Sequence, residues 1–256
     1  MKIATFNTNS VRARLPIIKD WIMDEQPDVL ALQEVKVQDK DFPVNEFNEL
    51  GYNIVCRGQK SYNGVAIISR TEPGNIIRNL YRGEDEQARF LSAVISGVTV
   101  INVYIPQGFA PDSEKFTYKL KWMEDLLEYI KGQYTPDSPV VLLGDFNVAM
   151  DDRDVHDPEG LRGSAGFHPD EQKILKRFFD WGFIDIFRKY NSEKDHYTFW
   201  DYRIPNALKR KMGWRIDYIT ATAPIAEKST GISIDLDARM LKRPSDHTFL
   251  TAEFDL

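Results

Sequence analysis

"YNIVCRGQKSYNGVAIISRTEPGNIIRNLYRGEDEQARFLSAVISGVTVINVYIP", residues 52–106, reads as one strand after another. A sheet made only of βαβ units needs a helix between nearly every pair of strands. This stretch therefore predicts a mixed sheet, or two packed sheets, with helices on the outside. Outward from it, strand-like runs recur at 2–6 ("KIATF"), 28–34 ("DVLALQE"), 140–146 ("VVLLGDF"), 215–222 ("RIDYITAT") and 248–254 ("TFLTAEF"). The four apolar residues Val140 to Leu143 read as a strand buried on both faces, because such strands lose the polar alternation. Helices lie between some of these runs. Phe116, Leu120, Met123, Leu127 and Ile130 form one helical stripe, and Val11, Leu15, Ile18 and Ile22 form another, with Ser10 placed to cap it. Pro169 suits the first position of a third helix that carries Ile174, Phe178 and Trp181.

The chain has 256 residues, 42% of them hydrophobic and 28% charged, enough apolar material for a sizeable core. No Gly/Ser linker, repeat or low-complexity tract divides it, so one domain over 1–256 is expected. Cys56 is the only cysteine, which excludes an intramolecular disulfide and a thiolate metal cluster. The N-terminus lacks the apolar core of a secretory signal, and no run is long enough to span a membrane. A cytoplasmic protein is expected. The formal charge of -6 speaks against a polyanionic partner, but says little about a local basic patch.

Polar residues stand at the ends of the apolar runs. Asn7 follows "IATF", Glu34 follows "VLAL", Tyr104 ends "VTVINVY", and Asp145 and Asn147 follow "VVLLG". Asp217 falls within "RIDYI", and Asp246 and His247 precede "TFLTAEF". Each has a bland reading. Glu34 could be a solvated residue leaving a strand, Asn7 an Asx-turn, and Asp145 to Asn147 turn chemistry. Asp217 could be a satisfied core carboxylate, and His247 a surface histidine. Together they form a set of carboxylates and amides with one histidine, placed where open and layered sheets gather functional groups. No cysteine nucleophile, GxSxG elbow, phosphate-binding GxxxxGK[ST] loop or HExxH pair is present. Oxygen-rich donors suit a hard divalent cation such as Mg²⁺ or Mn²⁺, and such sites commonly hydrolyse phosphate esters.

At these residues the sequence resembles the exonuclease III family of apurinic/apyrimidinic endonucleases, within the endonuclease–exonuclease–phosphatase superfamily. "ATFNTNSVRAR", "PDVLALQEVKV", "NGVAIISR", "INVYIPQG", "VVLLGDFNVA", "YTFWDYR", "GWRIDYI" and "PSDHTFL" follow in the family order over the whole chain. The resemblance implies an α/β four-layered sandwich, two mixed β-sheets flanked by helices. It implies that Glu34 binds the metal, with Asp246 and Asp145 as further candidates. Asp145 would be the general base for the attacking water, held by Asn7. Asn147 would bond the scissile phosphate or the water, and Tyr104 the phosphate or the leaving group. His247 would contact a phosphate oxygen, oriented by Asp217. Asn9 stands where some relatives have aspartate, and Ser164 lies where several place DNA-contacting amides.

The superfamily also cuts inositol phosphates, sphingomyelin and other esters, so the catalytic set does not name the substrate. From Arg203 to Arg215 the sequence has five basic residues and no acidic one, flanked by Phe199, Trp200 and Trp214. Aromatic residues beside a basic loop suit an unstacked nucleotide, although the same residues could be core beside a solvated "KRK" run. The resemblance places Phe199, Trp214 and Ile216 in a pocket for a flipped abasic deoxyribose, and Lys209, Arg210 and Lys211 would contact DNA phosphates. Arg12, Arg14, Lys36, Lys60, Lys242 and Arg243, next to the motifs, are further candidates for phosphate contacts. The leading expectation is a Mg²⁺-dependent enzyme that cuts double-stranded DNA 5′ to abasic sites, leaving a 3′-hydroxyl. Exonuclease activity from the 3′ end and 3′-end cleaning are expected beside it. The partner is DNA, with no membrane and no second copy of the chain. The alternatives are a phosphatase of the same fold acting on a small phosphate ester or lipid headgroup, and a non-catalytic DNA-binding module.

Overall fold

The computed structural model describes residues 1–80 and 87–256. The acidic segment of 81–86, inside the strand-rich stretch, lies outside the described residues. The strands are β1 (Lys2–Asn7), β2 (Val29–Gln33), β3 (Asn53–Arg57), β4 (Val65–Ser69), β5 (Gly74–Ile77), β6 (Phe90–Ile95), β7 (Val98–Tyr104), β8 (Val140–Asp145), β9 (Phe183–Asp185), β10 (Asp217–Thr222), β11 (Ser229–Ile234) and β12 (Leu250–Phe254). The helices are α1 (Val11–Glu25), α2 (Val44–Asn48), α3 (Glu114–Gln133), α4 (Pro158–Leu161), α5 (Pro169–Trp181), α6 (Ile186–Tyr190) and α7 (Ala223–Ala226).

Two six-stranded mixed sheets result, ordered β11-β12-β1-β2-β4-β3 and β5-β6-β7-β8-β10-β9. Strand alternation assigns each side chain to a layer. In the first sheet Ile3, Val29, Ala31, Val65 and Ile67 face the second sheet, where Val100, Val141, Leu143 and Ile219 meet them. The alternate residues Ala4, Leu30, Leu32 and Ile68 pack under Val11, Ile18 and Ile22 of α1. Val140, Leu142 and Ile101 pack under Met123, Leu127 and Ile130 of α3 and Ile174 and Phe178 of α5. This is the four-layered sandwich, and it explains why "VVLL" shows no polar alternation: both of its faces are covered.

Each sheet contains a central parallel pair joined by a crossover helix: β1–α1–β2 in one and β7–α3–β8 in the other. A buried polar bridge ties the sheets near these strand ends. Gln33 Nε2 donates to Asn102 Oδ1 at 2.7 Å, and Asn102 Nδ2 donates to the carbonyls of Leu32 and Ala66 at 3.0 and 2.9 Å. The expected side-chain cap at Ser10 is absent. Ser10 has φ 93° and its side chain makes no capping bond. Backbone from the end of β2 does the work instead: the N–H groups of Ser10 and Val11 donate to the carbonyls of Glu34 and Val35 at 2.8 and 3.1 Å. The third helix does begin at Pro169, with His168 and Glu171 forming a capping box.

Candidate active site

The strand pairings bring the polar residues to one end of both sheets. Parallel register sets Asn7 beside Gln33, one residue before Glu34, and Tyr104 beside Asp145. The antiparallel neighbour β10 sets Asp217 opposite Asp145. Asp217 thus opens β10 rather than interrupting it. His247, just ahead of β12, bridges to Phe199, which in turn bridges to Trp214.

One amide links the two key carboxylates. Asn7 Nδ2 donates to Asp145 Oδ2 at 2.8 Å and to Glu34 Oε1 at 2.9 Å. Its Oδ1 accepts from the Asn9 N–H at 3.0 Å, so Asn7 closes an Asx-turn as well. Glu34 is largely covered rather than solvated, and Oε2 pairs with Lys36 Nζ at 2.9 Å. His247 Nδ1 lies 2.8 Å from Asp217 Oδ2, and Nε2 lies 3.7 Å from Asp145 Oδ2. Asp145 Oδ1 accepts from the Asn147 N–H at 2.9 Å, and Asn147 Nδ2 donates to the Ile105 carbonyl at 3.0 Å. Asp246 Oδ1 accepts from Asn9 Nδ2 at 3.1 Å. The structure thus brings Asn7, Glu34, Tyr104, Asp145, Asn147, Asp217, Asp246 and His247 together.

Burial and neighbouring charge set the protonation states. Burial pushes Asp145 up to about 7, against the pull of His247, with Asp217 adding to the rise. Burial alone would lower His247, but Asp217 and Asp145 reverse it and carry the ring up to about 10. Burial would also raise Glu34, but the charge and hydrogen bond of Lys36 outweigh it and hold the carboxyl below its ordinary value. Burial beside Glu34 and Asp145 raises the Tyr104 phenol well above its ordinary value, so it remains a donor. At neutral pH the site therefore holds an imidazolium between two carboxyl groups.

The oxygen atoms fit a hard cation. Glu34 and Asp145 converge on one amide nitrogen, and Asp217 Oδ1 is buried with no hydrogen-bond partner. Asp145, Asp217 and His247 also bring one ligand atom each within 4.8 Å of one another. Both His247 nitrogens face carboxylates, however, so the ring is better suited to holding a proton between them than to ligating a metal. Asn9, Ser10, Glu34, Lys36 and Asn147 all have positive φ. Such backbone in non-glycine residues is uncommon and concentrates at functional sites.

A cleft of about 620 Å³ opens onto these groups, and Phe199, Trp214, Ile216, Ser164 and His156 line it with them. His156 carried no expected role, and nothing in its local sequence marks it. Trp200 is a correction. Adjacent residues of an extended segment point to opposite faces, so Phe199 turns into the cleft and Trp200 packs away with Tyr197 and Ala207. The basic loop needs correcting too. Arg215 is fully buried against Asp154 and Asp185, and Arg203 pairs with Asp201 at 2.5 Å. Lys209, Arg210 and Lys211 are exposed, but Lys211 borders a separate cavity of about 530 Å³ that also contains Trp200. Arg14 is tied to Tyr202 Oη at 2.7 Å and the Pro244 carbonyl at 2.9 Å.

A mixed double sheet with carboxylates, amides and one histidine gathered at the ends of its central strands defines a hydrolase class, and comparison with known proteins agrees. Residues 4–247 match the Endonuclease/Exonuclease/phosphatase family, and the chain belongs to it. It is 36% identical to exodeoxyribonuclease III of Haemophilus influenzae, covering 99% of this chain and all of that protein. It is 42% identical to an AP endonuclease from Archaeoglobus fulgidus, with a TM-score of 0.97 over 100% of both chains. A 3′ phosphatase from Neisseria, solved with a product DNA hairpin, is 40% identical with a TM-score of 0.97 over 100% of both chains.

Proposed function

We propose that this chain, acting over 1–256 as one catalytic domain, is a DNA repair phosphodiesterase. It hydrolyses double-stranded DNA 5′ to abasic sites and leaves a 3′-hydroxyl. Trimming from the 3′ end and removal of 3′ blocking groups use the same site, a reading supported by the likeness to the Neisseria 3′ phosphatase. The observation that carries the proposal is the sharing of one cleft by the acidic–histidine cluster and the apolar wall of Phe199, Trp214 and Ile216. Such a wall admits a sugar without a base and hinders one that keeps it.

Asp145 takes the proton of a water whose oxygen attacks phosphorus, and the bond from phosphorus to the 3′ oxygen breaks. Asn7 and the Asn147 N–H hold the base in place. His247, kept as imidazolium by Asp217, donates to a phosphate oxygen. Tyr104 donates to the phosphate or to the departing oxygen. Glu34, with Asp246 and Asp145 as further oxygen ligands, would hold Mg²⁺ or Mn²⁺, which supplies charge neutralisation at the phosphate. Lys209, Arg210 and Lys211 reach backbone phosphates beyond the cleft. Trp200 supports the loop from behind and makes no pocket wall. Among the described residues no helix is long and apolar enough to cross a membrane. A monomer working in the cytoplasm completes the proposal.

The test is an end-labelled duplex with one abasic site, incubated with and without Mg²⁺, beside inositol phosphates as competing substrates. A single incision 5′ to the lesion that requires the cation is expected. Hydrolysis of the inositol phosphates with an intact duplex would favour the small-ester phosphatase, and binding without cleavage a DNA-binding module.

A further inference from the structure

Behind the cleft, outside the groups given a chemical role, lies an ion pair with no exposure at either partner. Lys119 of α3 and Glu171 of α5 meet at 2.5 Å, and both side chains are fully buried. Desolvating two charges is costly, so such a pair is weak evidence of stability by itself. What the two side chains hold is more informative. Lys119 Nζ, paired with Glu171 Oε1, donates to the Asn147 carbonyl at 2.7 Å and the Gln107 carbonyl at 3.3 Å. Glu171 Oε2 accepts from the N–H groups of Gly166 at 2.8 Å and His168 at 3.1 Å.

These partners belong to the working surface. Asn147 directs its N–H to Asp145, and the Lys119 bond to its carbonyl holds the next peptide group of the same residue, so Asn147 is fixed on both sides of its Cα. Gly166 lies against the Trp214 ring, and a Cβ built on it would come within 3.2 Å of that ring. Gly108, next to Gln107, has φ +92°, and a Cβ built on it would come within 3.0 Å of the Lys119 stem.

We infer that Lys119 and Glu171 are positioning residues, a buried clamp that sets the Asp145–Asn147 loop and the 163–168 pocket loop at a fixed separation and so maintains both turnover and discrimination. The inference rests on the proposed abasic pocket for its discrimination half only. A displacement of about 1 Å at a reacting group can lower a rate by roughly a hundredfold, so a clamp linked to the proposed base through two hydrogen bonds and the Asn147 backbone has a measurable effect.

The test uses the full chain carrying Lys119→Met with Glu171→Gln, which leaves no unpaired buried charge, and a second variant, Lys119→Arg, which keeps a cationic donor. Amide hydrogen exchange on the free protein comes first because it needs no substrate. Residues 163–168 should exchange at least tenfold faster in the double variant and within threefold of wild type in Lys119→Arg. On an abasic duplex, well below the melting temperature, kcat should fall about tenfold or more with KM changed less. The ratio of abasic to intact-nucleotide cleavage should fall with it. Exchange and kcat both within twofold of wild type in the folded double variant would overturn the clamp. So would a Lys119→Arg protein that folds yet loses as much as the double variant. Wild-type protein that leaves abasic DNA intact would instead overturn the proposed substrate, and the exchange result would still judge the clamp.

Discussion

Two buried ionic clusters flank the start of β10, and the three residues "RID" at 215–217 contribute one charge to each. Arg215 belongs to the first. Its Nε and Nη2 bond Asp154 at 2.6 and 3.1 Å, Nη2 reaches Asp185 at 2.9 Å, and Arg188 adds a second guanidinium to Asp154. Two arginines balance two aspartates, the guanidinium of Arg215 lies 4.5 Å over the Tyr218 ring, and Arg215 and Asp154 are wholly buried. Asp217 belongs to the second. There one imidazolium and the Lys36 ammonium face three carboxyl groups, Asp217, Asp145 and Glu34, an oxygen of Asp217 has no partner, and a cleft opens on the group. The balanced cluster holds strands and loops together. The unbalanced one has negative charge and lone pairs left over, which is what a cation and a phosphate ester need.

The difference can be broken by removing one charge from each side. Arg215→Ala should leave Asp185 without its guanidinium and buried Asp154 with Arg188 alone, and cost about 3–5 kcal/mol, a drop in melting temperature of roughly 10 °C or more. A melt within two degrees of wild type, on the order of the ordinary surface effect, would remove the structural role.

Glu34→Ala should act on turnover with little effect on folding, and added Mg²⁺ should restore part of the rate. Normal cleavage by this variant in chelator-treated buffer would contradict the metal role. The pH profile sharpens the same point. In the proposed mechanism Asp145 is a base only when deprotonated, and burial pushes its carboxyl up to about 7. At low Mg²⁺ the rate should therefore fall as pH drops through about 7, and at high Mg²⁺ this limb should move to lower pH because the cation favours the carboxylate. His247 should keep its proton until about 10, so an alkaline limb is expected there. An acid limb that ignores Mg²⁺ would separate the base from the cation.

Trp214→Ala should act more gently still. It removes a wall of the cleft and none of the proposed phosphate or metal contacts, so abasic cleavage should slow by several-fold and intact nucleotides should be rejected less strictly. A melt must accompany it, because truncating a core tryptophan would cost about 3–5 kcal/mol. A folded variant with unchanged discrimination would remove the pocket wall. The smallest effect is expected from Lys209→Ala with Arg210→Ala. Weaker DNA binding and a shallower salt slope should follow, since fewer counterions are released. An unchanged slope would place that loop away from DNA.

Sequence alone exposed the sheets and most of the polar cluster at their strand ends for one reason. A polar residue at the end of a strand-like run is conspicuous, and Asn7, Glu34, Tyr104 and Asp145 all stand there. Arg215 was hidden by its neighbours, because a buried guanidinium inside "KRKMGWR" looks like one more solvated charge until Asp154 and Asp185 are seen around it. Phe199 and Trp200 show a second limit. Which of two adjacent aromatics faces the cleft depends on the parity of the ladder with Trp214, and that pairing is long-range. Lys119 sits beside the stripe of Phe116, Leu120 and Met123 and reads as the polar margin of α3, since its partner lies on a different helix. The Ser10 cap failed because the backbone leaving β2 already satisfies the start of α1.

The separation between the two clusters is tested most directly by paired assays on Asp145→Asn and Asp154→Asn, each measured for melting temperature and for cleavage of an abasic duplex in Mg²⁺. Asp145→Asn should melt near wild type and lose roughly 10²–10⁴-fold in turnover, the usual contribution of a general base. Asp154→Asn should melt well below wild type and, while folded at low temperature, cleave at close to the wild-type rate. Equal losses of stability in both, or full activity in a folded Asp145→Asn protein, would contradict the division of labour between them.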